Sequence, residues 1–167
     1  MNITYRIPKK EEAEAFWELM NALDYETKYM LFEPGERVKN LDRMEAIVES
    51  AIAGKDFLYI ADVDGEFVGY LSAQRENLKR VAHSAYIVAG IRKDFQNQGI
   101  GTKLFEKLDT WAKEQEVKRL ELTVICENTR AKHLYEKMGF EIEGTKKKSV
   151  LVDGTYLDEY YMAKIFN

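Results

Sequence analysis

The segment "IRKDFQNQGIG" (91–101) places two glycines and several side-chain amides where an apolar run gives way to an amphipathic one. The apolar run that ends at Ile91 predicts a strand, and the residues from Ile100 onward predict a helix. The first N–H groups of a helix lack intrahelical partners and lie at the positive end of its dipole, which suits an anion. Glycines let the backbone approach a phosphate closely. The segment therefore predicts either a phosphate cradle or an ordinary turn.

Three phosphate-binding patterns can be compared with these residues. A dinucleotide fold requires G-x-G-x-x-G, or alanine at the end, but Leu104 occupies the third position. A P-loop requires G-x-x-x-x-G-K-[ST], whereas Gly101 is followed by Thr102 and then Lys103. The pattern Q/R-x-x-G-x-G/A, directly after a strand and at a helix start, is matched in full by residues 96–101.

A second segment, "ENTRAKHLYEKMGF" (127–140), carries two further polar residues in a short predicted helix. Asn128 is a favourable N-cap, and Gly139 suits the left-handed position that ends a helix. Tyr135 belongs to an apolar stripe at helical spacing, so it is a candidate for simple core packing.

The elements that must position these residues follow from periodicity along the rest of the chain. In chain order they are a strand (2–7), two helices (9–23 and 37–54), three strands (56–63, 66–77 and 82–91), a helix that begins near 100, a strand (118–126), a helix (127–140) and two strands within 140–166. The strand–helix–strand unit in the middle should place two neighbouring strands in parallel, whereas the hairpins on either side are antiparallel. The prediction is an α/β fold in a single domain of residues 1–167, with a mixed, mostly antiparallel sheet flanked by about four helices.

The segment "DYETKYMLFEPGER" (24–37) has no clean period and contains Pro34 and Gly35, so it is predicted to be a loop. Loops of this length are often functional. Several of its side chains could line a binding pocket, and three late tyrosines could join them: Tyr25, Tyr29, Met30, Phe32, Tyr156, Tyr160 and Tyr161. For the three late tyrosines, core or sheet packing is the better explanation.

Taken together, these motifs resemble the GCN5-related N-acetyltransferase (GNAT) family. The resemblance rests on the order strand, Q-x-x-G-x-G, amphipathic helix, strand, then Asn128-x-x-Ala131-x-x-x-Tyr135 and "KMGF". It extends over essentially the whole chain and is most specific for residues 86–140. The final segment also resembles bacterial diamine and ribosomal-protein acetyltransferases of this family. The resemblance implies a GNAT-like acyl-CoA N-acyltransferase fold, acetyl-CoA as cosubstrate and an amine as acceptor.

The resemblance also implies roles for individual residues. The strand that ends in "AGI" would hydrogen-bond the pantetheine arm, Asn128 would contact that arm, and Tyr135 would lie near the thioester sulfur. Gln96 stands where many members have arginine, so N–H groups would have to supply more of the anion's stabilisation. The implied cofactor-binding residues are Ala89, Gly90, Ile91, Gln96, Asn97, Gln98, Gly99, Ile100, Gly101, Thr102, Asn128, Ala131 and Tyr135.

The implied reaction is direct attack of an amine on the acetyl carbonyl, without a covalent enzyme intermediate. Tyr135 is predicted to protonate the leaving thiolate, and a backbone N–H of the strand to stabilise the oxyanion. Glu26, in the predicted loop, is the first candidate for the general base. The alternatives are a water chain and three other carboxylates, Glu33, Glu76 and Asp158.

Composition narrows the classes of function. The chain has 167 residues and a formal net charge of −4, which argues mildly against non-specific nucleic-acid binding. No apolar run reaches about 18 residues, so no membrane span is expected, and the first residues lack the pattern of a secretory signal. The single Cys126 predicts no internal disulfide, and His83 and His133 lack companions at metal-ligand spacing. A cytoplasmic protein without a metal site is expected.

The nature of the acceptor stays open at this point. The acidic balance and the aromatic residues suit a small amine or a polyamine, and a peptide N-terminus is the alternative. A non-catalytic acyl-CoA-binding module is a rival from another class, and a nucleotide-binding domain of another fold is a third. A homodimer could form through an edge strand near the C-terminus. The sequence specifies neither the general base nor whether acyl groups other than acetyl are used.

Overall fold

A computed structural model describes residues 1–167, and its elements follow the predicted order. The strands are β1 (Ile3–Arg6), β2 (Phe57–Val63), β3 (Glu66–Arg75), β4 (Ser84–Ile91), β5 (Arg119–Ile125), β6 (Glu141–Val152) and β7 (Thr155–Ile165). The helices are α1 (Ala13–Glu26), α2 (Leu41–Ile52), α3 (Ile100–Glu114) and α4 (Thr129–Lys137). Single 3₁₀ turns precede α1 and follow β4, at Lys10–Glu12 and Lys93–Phe95.

The seven strands form one sheet in the order β1-β2-β3-β4-β5-β7-β6. Every neighbouring pair is antiparallel except β4 and β5, which are parallel and are joined through α3. The predicted mixed sheet with four helices is therefore confirmed. The edge strand near the C-terminus is β6, because β7 lies between β5 and β6. Pairing of two copies through this edge stays a prediction.

The two predicted Asp-Gly hairpins form as tight turns. Asp64 and Gly65, between β2 and β3, both have positive φ, and so do Asp153 and Gly154, between β6 and β7. Two-residue turns with positive φ at both positions match the twist of the strands they join. These turns fix the register of the hairpins on both sides of the central parallel pair.

The parallel pair β4–β5 is short, and this shapes the centre of the molecule. The two strands are in register only from Ser84–Arg119 to Tyr86–Glu121. Beyond Tyr86 they separate, although β4 continues to pair with β3 as far as Ile91. The Tyr86 hydroxyl and Thr123 Oγ1 lie 2.8 Å apart at the point where the strands part. A V-shaped opening therefore interrupts the sheet at its middle.

The core has two parts, one on each face of the sheet. Successive side chains of a strand point to opposite faces, so the neighbours Phe57 and Leu58 of β2 belong to different clusters. The larger cluster packs beneath α3 and α4, around Leu104, Phe105 and Leu108. The smaller cluster packs beneath α1 and α2. Both clusters meet the V-shaped opening, so helices from both faces can contribute to a site there.

Several boundaries differ from their predictions; α2, for example, was predicted to begin at residue 37 and begins at Leu41. The loop was predicted to begin at residue 24, but α1 continues through Asp24 and Tyr25 to Glu26. Leu23 and Asp24 are both buried, and this tertiary contact extends the helix beyond the clean part of its periodicity. No helix of the structure has both the length and the apolar composition that crossing a membrane requires.

Candidate active site

A cleft of about 2120 Å³ passes through the V-shaped opening. Its walls are the end of α1 with the following segment 27–40, the outer half of β4, the start of α3 and one face of α4. Of the residues predicted to bind the cofactor, all except Gln98 line this cleft. Gln98 is exposed, and its side-chain amide donates to the Asp94 carbonyl at 3.3 Å instead. The sequence motifs are thus gathered at one site.

The segment 96–101 forms the turn into α3. Gly99 is the N-cap residue with φ 80°, in the left-handed region, and a Cβ added there would meet no atom within 4 Å. Glycine is needed at this position for its conformation rather than for space. No side chain caps the helix, so the first N–H groups of α3 are left without a side-chain acceptor. Such a terminus, opening on the cleft, suits a phosphate.

Gly101 has a different reason to be glycine. A Cβ at Gly101 would lie 2.6 Å from Leu134 Cδ2 and 3.4 Å from Ile91 Cδ1. The missing side chain therefore lets α4 and β4 pack closely against the first turn of α3. Gly101 lines the cleft as predicted, but the contact with Leu134 explains the glycine better than a phosphate does.

Two cations of α4 flank the turn. Arg130 Nη1 donates to Gln96 Oε1, and Gln96 Nε2 donates to the Ile91 carbonyl at 3.3 Å. Lys137 Nζ donates to Thr102 Oγ1 at 3.2 Å. The uncharged Gln96 thus has a guanidinium bound directly to it, which brings positive charge to the cradle. Sequence reasoning missed both cations, although their spacing of seven places them on one face of α4.

Tyr135 combines a buried ring with a hydroxyl that reaches the cleft. Its exposed fraction is 9%, and the ring packs on Phe105 and Phe140 with centroids 5.7 and 6.1 Å away. Burial raises the pKa of the Tyr135 hydroxyl to about 12. The hydroxyl makes no hydrogen bond within the protein and is not sealed from solvent. It is therefore a neutral donor that can serve a bound molecule.

Asn128 is the N-cap residue of α4. Its Oδ1 accepts from the Ala131 N–H at 3.4 Å, which uses one end of the side-chain amide. The Nδ2 end has no acceptor in the protein, and the residue lines the cleft. The capping role and a contact with a bound molecule are therefore compatible.

Glu26, the predicted base, has both carboxylate oxygens engaged. Oε2 accepts from Arg92 Nε at 2.9 Å, and Oε1 accepts from the Lys93 N–H at 3.0 Å. These bonds join the end of α1 to the end of β4. This is the geometry of a positioning residue more than of a free proton acceptor. The base role stays a prediction.

Of the three carboxylates predicted as alternatives to Glu26 for the general base, only one lines the cleft. Glu33 is exposed and lines the cleft, whereas neither Glu76 nor Asp158 does. Asp158 Oδ1 accepts from the Lys148 N–H at 2.8 Å, and this bond lowers the pKa of the Asp158 carboxyl. No group of three or more His, Cys, Asp or Glu side chains is arranged to hold a metal ion.

The far end of the cleft is formed by the segment after α1. Tyr25, Tyr29, Met30 and Phe32 all line it, as predicted for an acceptor pocket. The late tyrosines do not: Tyr156 and Tyr161 are exposed, and Tyr160 packs on the larger core cluster. None of these three tyrosines therefore contributes to the wall of the cleft.

A buried ion pair at this end was not predicted. The Asp24 carboxylate is fully buried and accepts from Arg37 Nε at 2.7 Å and from Arg37 Nη2 at 3.0 Å. Tyr70 of β3, also almost fully buried, lines the same space. A signal existed in the sequence: Phe16, Met20 and Asp24 share one face of α1, so a carboxylate continues its apolar stripe.

Comparison with known proteins agrees with this arrangement. The family model described as "Acetyltransferase (GNAT) family" matches residues 17–140, from the first helix to the end of α4. The matched range includes the V-shaped opening, the 96–101 turn and Tyr135.

Two curated relatives match part of the chain. "L-amino acid N-acetyltransferase AaaT" of Escherichia coli (strain K12) is 37% identical over 110 residues, which are 64% of this chain and 66% of that protein. "Putative ribosomal N-acetyltransferase YdaF" of Bacillus subtilis (strain 168) is 32% identical over 99 residues, 59% of this chain and 53% of that protein. The matched segments thus span between half and two thirds of these relatives' lengths.

Solved structures match over nearly the whole chain. An acetyltransferase of the GNAT family from Streptococcus pneumoniae has a TM-score of 0.94 and 26% identity, covering 99% of this chain and 100% of that one. The structure of yncA, a putative acetyltransferase from Salmonella typhimurium with its cofactor acetyl-CoA, has a TM-score of 0.87 and 18% identity, covering 100% and 95%. At that identity, the second likeness shows the shared fold.

Proposed function

Because this chain belongs to the acetyltransferase (GNAT) family, we propose that it transfers an acetyl group from acetyl-CoA to a primary amine of a small molecule. The observation that carries the proposal is the Tyr135 hydroxyl, neutral and without a protein partner, in a cleft between parted strands and an uncapped helix terminus. A purely structural tyrosine would be expected to satisfy its hydroxyl inside the protein.

The residues present fit an acyl-CoA thioester. The 96–101 turn and the first N–H groups of α3 would hold the pyrophosphate, with Arg130 and Lys137 adding positive charge. Beyond Tyr86, β4 pairs with β3 on one side only, so its remaining N–H and C=O groups can bind the amide groups of the pantetheine arm. The Nδ2 of Asn128 is a further donor to that arm.

The chemistry that this site supports is a single displacement. The amine nitrogen bonds to the acetyl carbon, the carbon–sulfur bond breaks, and the products are an N-acetyl amine and free CoA. Tyr135 gives its proton to the departing sulfur and regains one from the nitrogen through solvent. With a pKa of about 12, the Tyr135 hydroxyl is protonated at neutral pH, as this role requires. A backbone N–H of β4 would stabilise the oxyanion.

The size of the acceptor is supported by similarity rather than by geometry. The Escherichia coli relative, 37% identical over the matched residues, is named for L-amino acids, which are small molecules. The Bacillus subtilis relative is named for the ribosome, so a protein or peptide N-terminus is the second candidate. A non-catalytic acyl-CoA-binding module is the alternative from another class.

A panel of acceptors tests the proposal. The protein is incubated with acetyl-CoA and with amino acids, diamines, polyamines or short peptides, and free thiol and product mass are measured. We expect turnover with small amines and little with peptides. Selective acetylation of peptides would replace the first candidate by the second. Binding of acetyl-CoA without turnover on any amine would favour the non-catalytic module.

A further inference from the structure

We propose that the buried Asp24–Arg37 pair forms a carboxylate-binding subsite, so the acceptor is an amine that also carries a carboxylate close by, as an α-amino acid does. The inference rests on the proposed function and gives it a substrate class. It assigns a binding role to two residues that belong to no motif of the cofactor site.

The burial of the pair first calls for an explanation. Asp24 is fully buried, and the Arg37 side chain has 12% of its surface exposed, within the cleft. Removing both charges from water costs several kcal/mol per ion, and buried pairs of this kind are often no more stabilising than apolar residues of similar size. Stability alone therefore gives little reason for an ion pair in this wall, whereas ligand recognition does.

Arg37 has one engaged edge and one edge without an oxygen acceptor. Nε and Nη2, on the side edge of the guanidinium, both donate to Asp24. At the other edge, formed by Nη1 and Nη2, the only further hydrogen-bond acceptor in the protein is Met20 Sδ, 3.5 Å from Nη1. Thioether sulfur is a weak acceptor. The edge that remains is a fork whose geometry matches a carboxylate.

The same chain shows that one arginine can hold two carboxylates. Arg119 Nε donates to Glu121 at 2.6 Å, while Nη1 and Nη2 together bind Glu143 at 3.1 and 2.6 Å. Arg6 likewise bridges Glu12 and Asp62. Arg37, which lines the cleft, binds one carboxylate through Nε and Nη2, and its Nη1 has no oxygen acceptor in the protein. A carboxylate on the acceptor would complete a two-carboxylate arrangement of the same kind.

The guanidinium is fixed before any acceptor binds. The Phe32 ring lies against it, with 4.4 Å between the Arg37 Cζ atom and the ring centroid. The bidentate bond to Asp24 sets its rotation about the side-chain axis. A fork held in place by an ion pair and by a stacked ring loses little side-chain freedom when it binds an anion.

The subsite lies beside the reaction centre. Leu23, the residue before Asp24, packs on Gly90 of β4, within the strand implied to bind the pantetheine arm. A Cβ on Gly90 would also lie 3.4 Å from Tyr70 Cε1, and Tyr70 lines the same cleft as Arg37 and Tyr135. A molecule whose carboxylate binds Arg37 can therefore direct a nearby amine toward Tyr135.

The experiment compares α-amino acids with their own carboxamides, for example leucine with leucinamide and phenylalanine with phenylalaninamide. Each pair shares its side chain and amine and differs in the carboxylate. We expect kcat/KM for the acid to exceed that for the amide by at least about tenfold, the scale of a charge-assisted bidentate contact. The amide has the less basic amine, so a preference for the acid cannot arise from easier deprotonation.

Substitutions then assign the preference to the pair. Arg37→Gln should bring the acid-to-amide ratio close to one, and Arg37→Lys should leave part of the preference. Because Arg37→Gln leaves the Asp24 charge unpaired, the double variant Asp24→Asn with Arg37→Gln provides a neutral version of the pair. Arg6→Gln, which breaks an ion pair outside the cleft, is the matched control and should keep the ratio.

The outcomes separate the two proposals. Equal turnover of acids and amides by the unmodified protein, or an unchanged ratio in the double variant, would overturn the subsite and leave the acetyltransferase standing. Turnover of polyamines above that of every amino acid would do the same. Failure of all amines would overturn the proposed function itself, and the subsite with it.

Discussion

Leu23 of α1 and Gly90 of β4 are in such close contact that a Cβ on Gly90 would lie 2.7 Å from Leu23 Cδ1. Through this contact, the last turn of α1 packs against the outer half of β4. Three residues further along α1, Glu26 accepts hydrogen bonds from Arg92 and from the Lys93 N–H. These bonds hold the same helical turn at the end of β4. The acceptor end of the cleft and the strand expected to bind pantetheine are thus one packed unit.

The first prediction concerns this contact. Gly90→Ala should lower the free energy of unfolding by about 1–3 kcal/mol, since the added methyl group overpacks the interface. It should also raise KM for the amine, because α1 carries Asp24. The Gly90→Ala and Leu23→Ala double variant should show a favourable coupling energy in a double-mutant cycle. If the effects of the two substitutions on the free energy of unfolding were additive, α1 and β4 would not be in this close contact in solution.

The second prediction concerns Tyr135 as the proton donor. Tyr135→Phe keeps the ring that packs on Phe105 and removes only the hydroxyl. We expect kcat to fall by about a hundredfold, while the dissociation constant for acetyl-CoA is unchanged. Tyr156→Phe, at an exposed position outside the cleft, is the control. Near-normal turnover of Tyr135→Phe at saturating amine would refute the acid role.

The third prediction concerns pH. Burial raises the pKa of Tyr135 from its ordinary value of 10.0 to about 12. Turnover should therefore rise with pH as the amine loses its proton and should show no descending limb from Tyr135 up to about pH 10. The raised pKa also means that neutral Tyr135 contributes to the free energy of unfolding. This contribution is complete below pH 10.0 and is lost as pH rises toward 12. A fall in kcat near neutral pH, absent from Tyr135→Phe, would contradict this.

The fourth prediction concerns Arg130, which binds Gln96 and so brings charge to the 96–101 turn. Arg130→Met should raise KM for acetyl-CoA by about tenfold with little change in kcat, since the contact is equally strong in the ground and transition states. The increase should shrink at high salt. Arg80→Met, at an exposed residue outside the cleft, should have no effect on KM for acetyl-CoA.

The fifth prediction separates two roles of Glu26. If Glu26 is the base, Glu26→Gln should remove an ionisation from the pH profile of kcat/KM for the amine. If it positions α1, the profile should keep its shape while KM for the amine rises. The two hydrogen bonds of Glu26 favour the second result. The two roles are distinguished by measuring the complete pH profile of kcat/KM for the amine, once with the unmodified protein and once with Glu26→Gln.

The fold could be predicted because its signals are local. The Asp-Gly turns, the helical stripes and the turn before α3 each lie within a few consecutive residues, and the structure reproduces their order. The 96–101 turn and Tyr135 could be placed at a site for a related reason, since their spacing is a recognisable pattern. Their roles in the cofactor site remain predictions.

The acceptor end could not be predicted from such signals. Asp24 and Arg37 meet across thirteen residues of sequence that have no regular period, and the meeting depends on where the segment 27–40 folds back. Arg130 reaches Gln96 across thirty-four residues, and only the packing of α4 on α3 brings them together. Gly101 likewise takes its meaning from Leu134, a contact that no turn rule describes.

The short seam between β4 and β5 has a consequence for the lifetime of the protein. The direct links between the two parts of the sheet are three residue pairs, the Tyr86–Thr123 contact and two bonds that the His83 carbonyl accepts from the Lys118 and Arg119 N–H groups. A bound thioester whose arm pairs with β4 would add the bonds that the seam lacks, and it would bind the folded chain alone. At a concentration a hundred times its dissociation constant, it would stabilise the fold by about 2.7 kcal/mol. Resistance to proteases, and with it the amount of enzyme, should then follow the supply of acetyl-CoA.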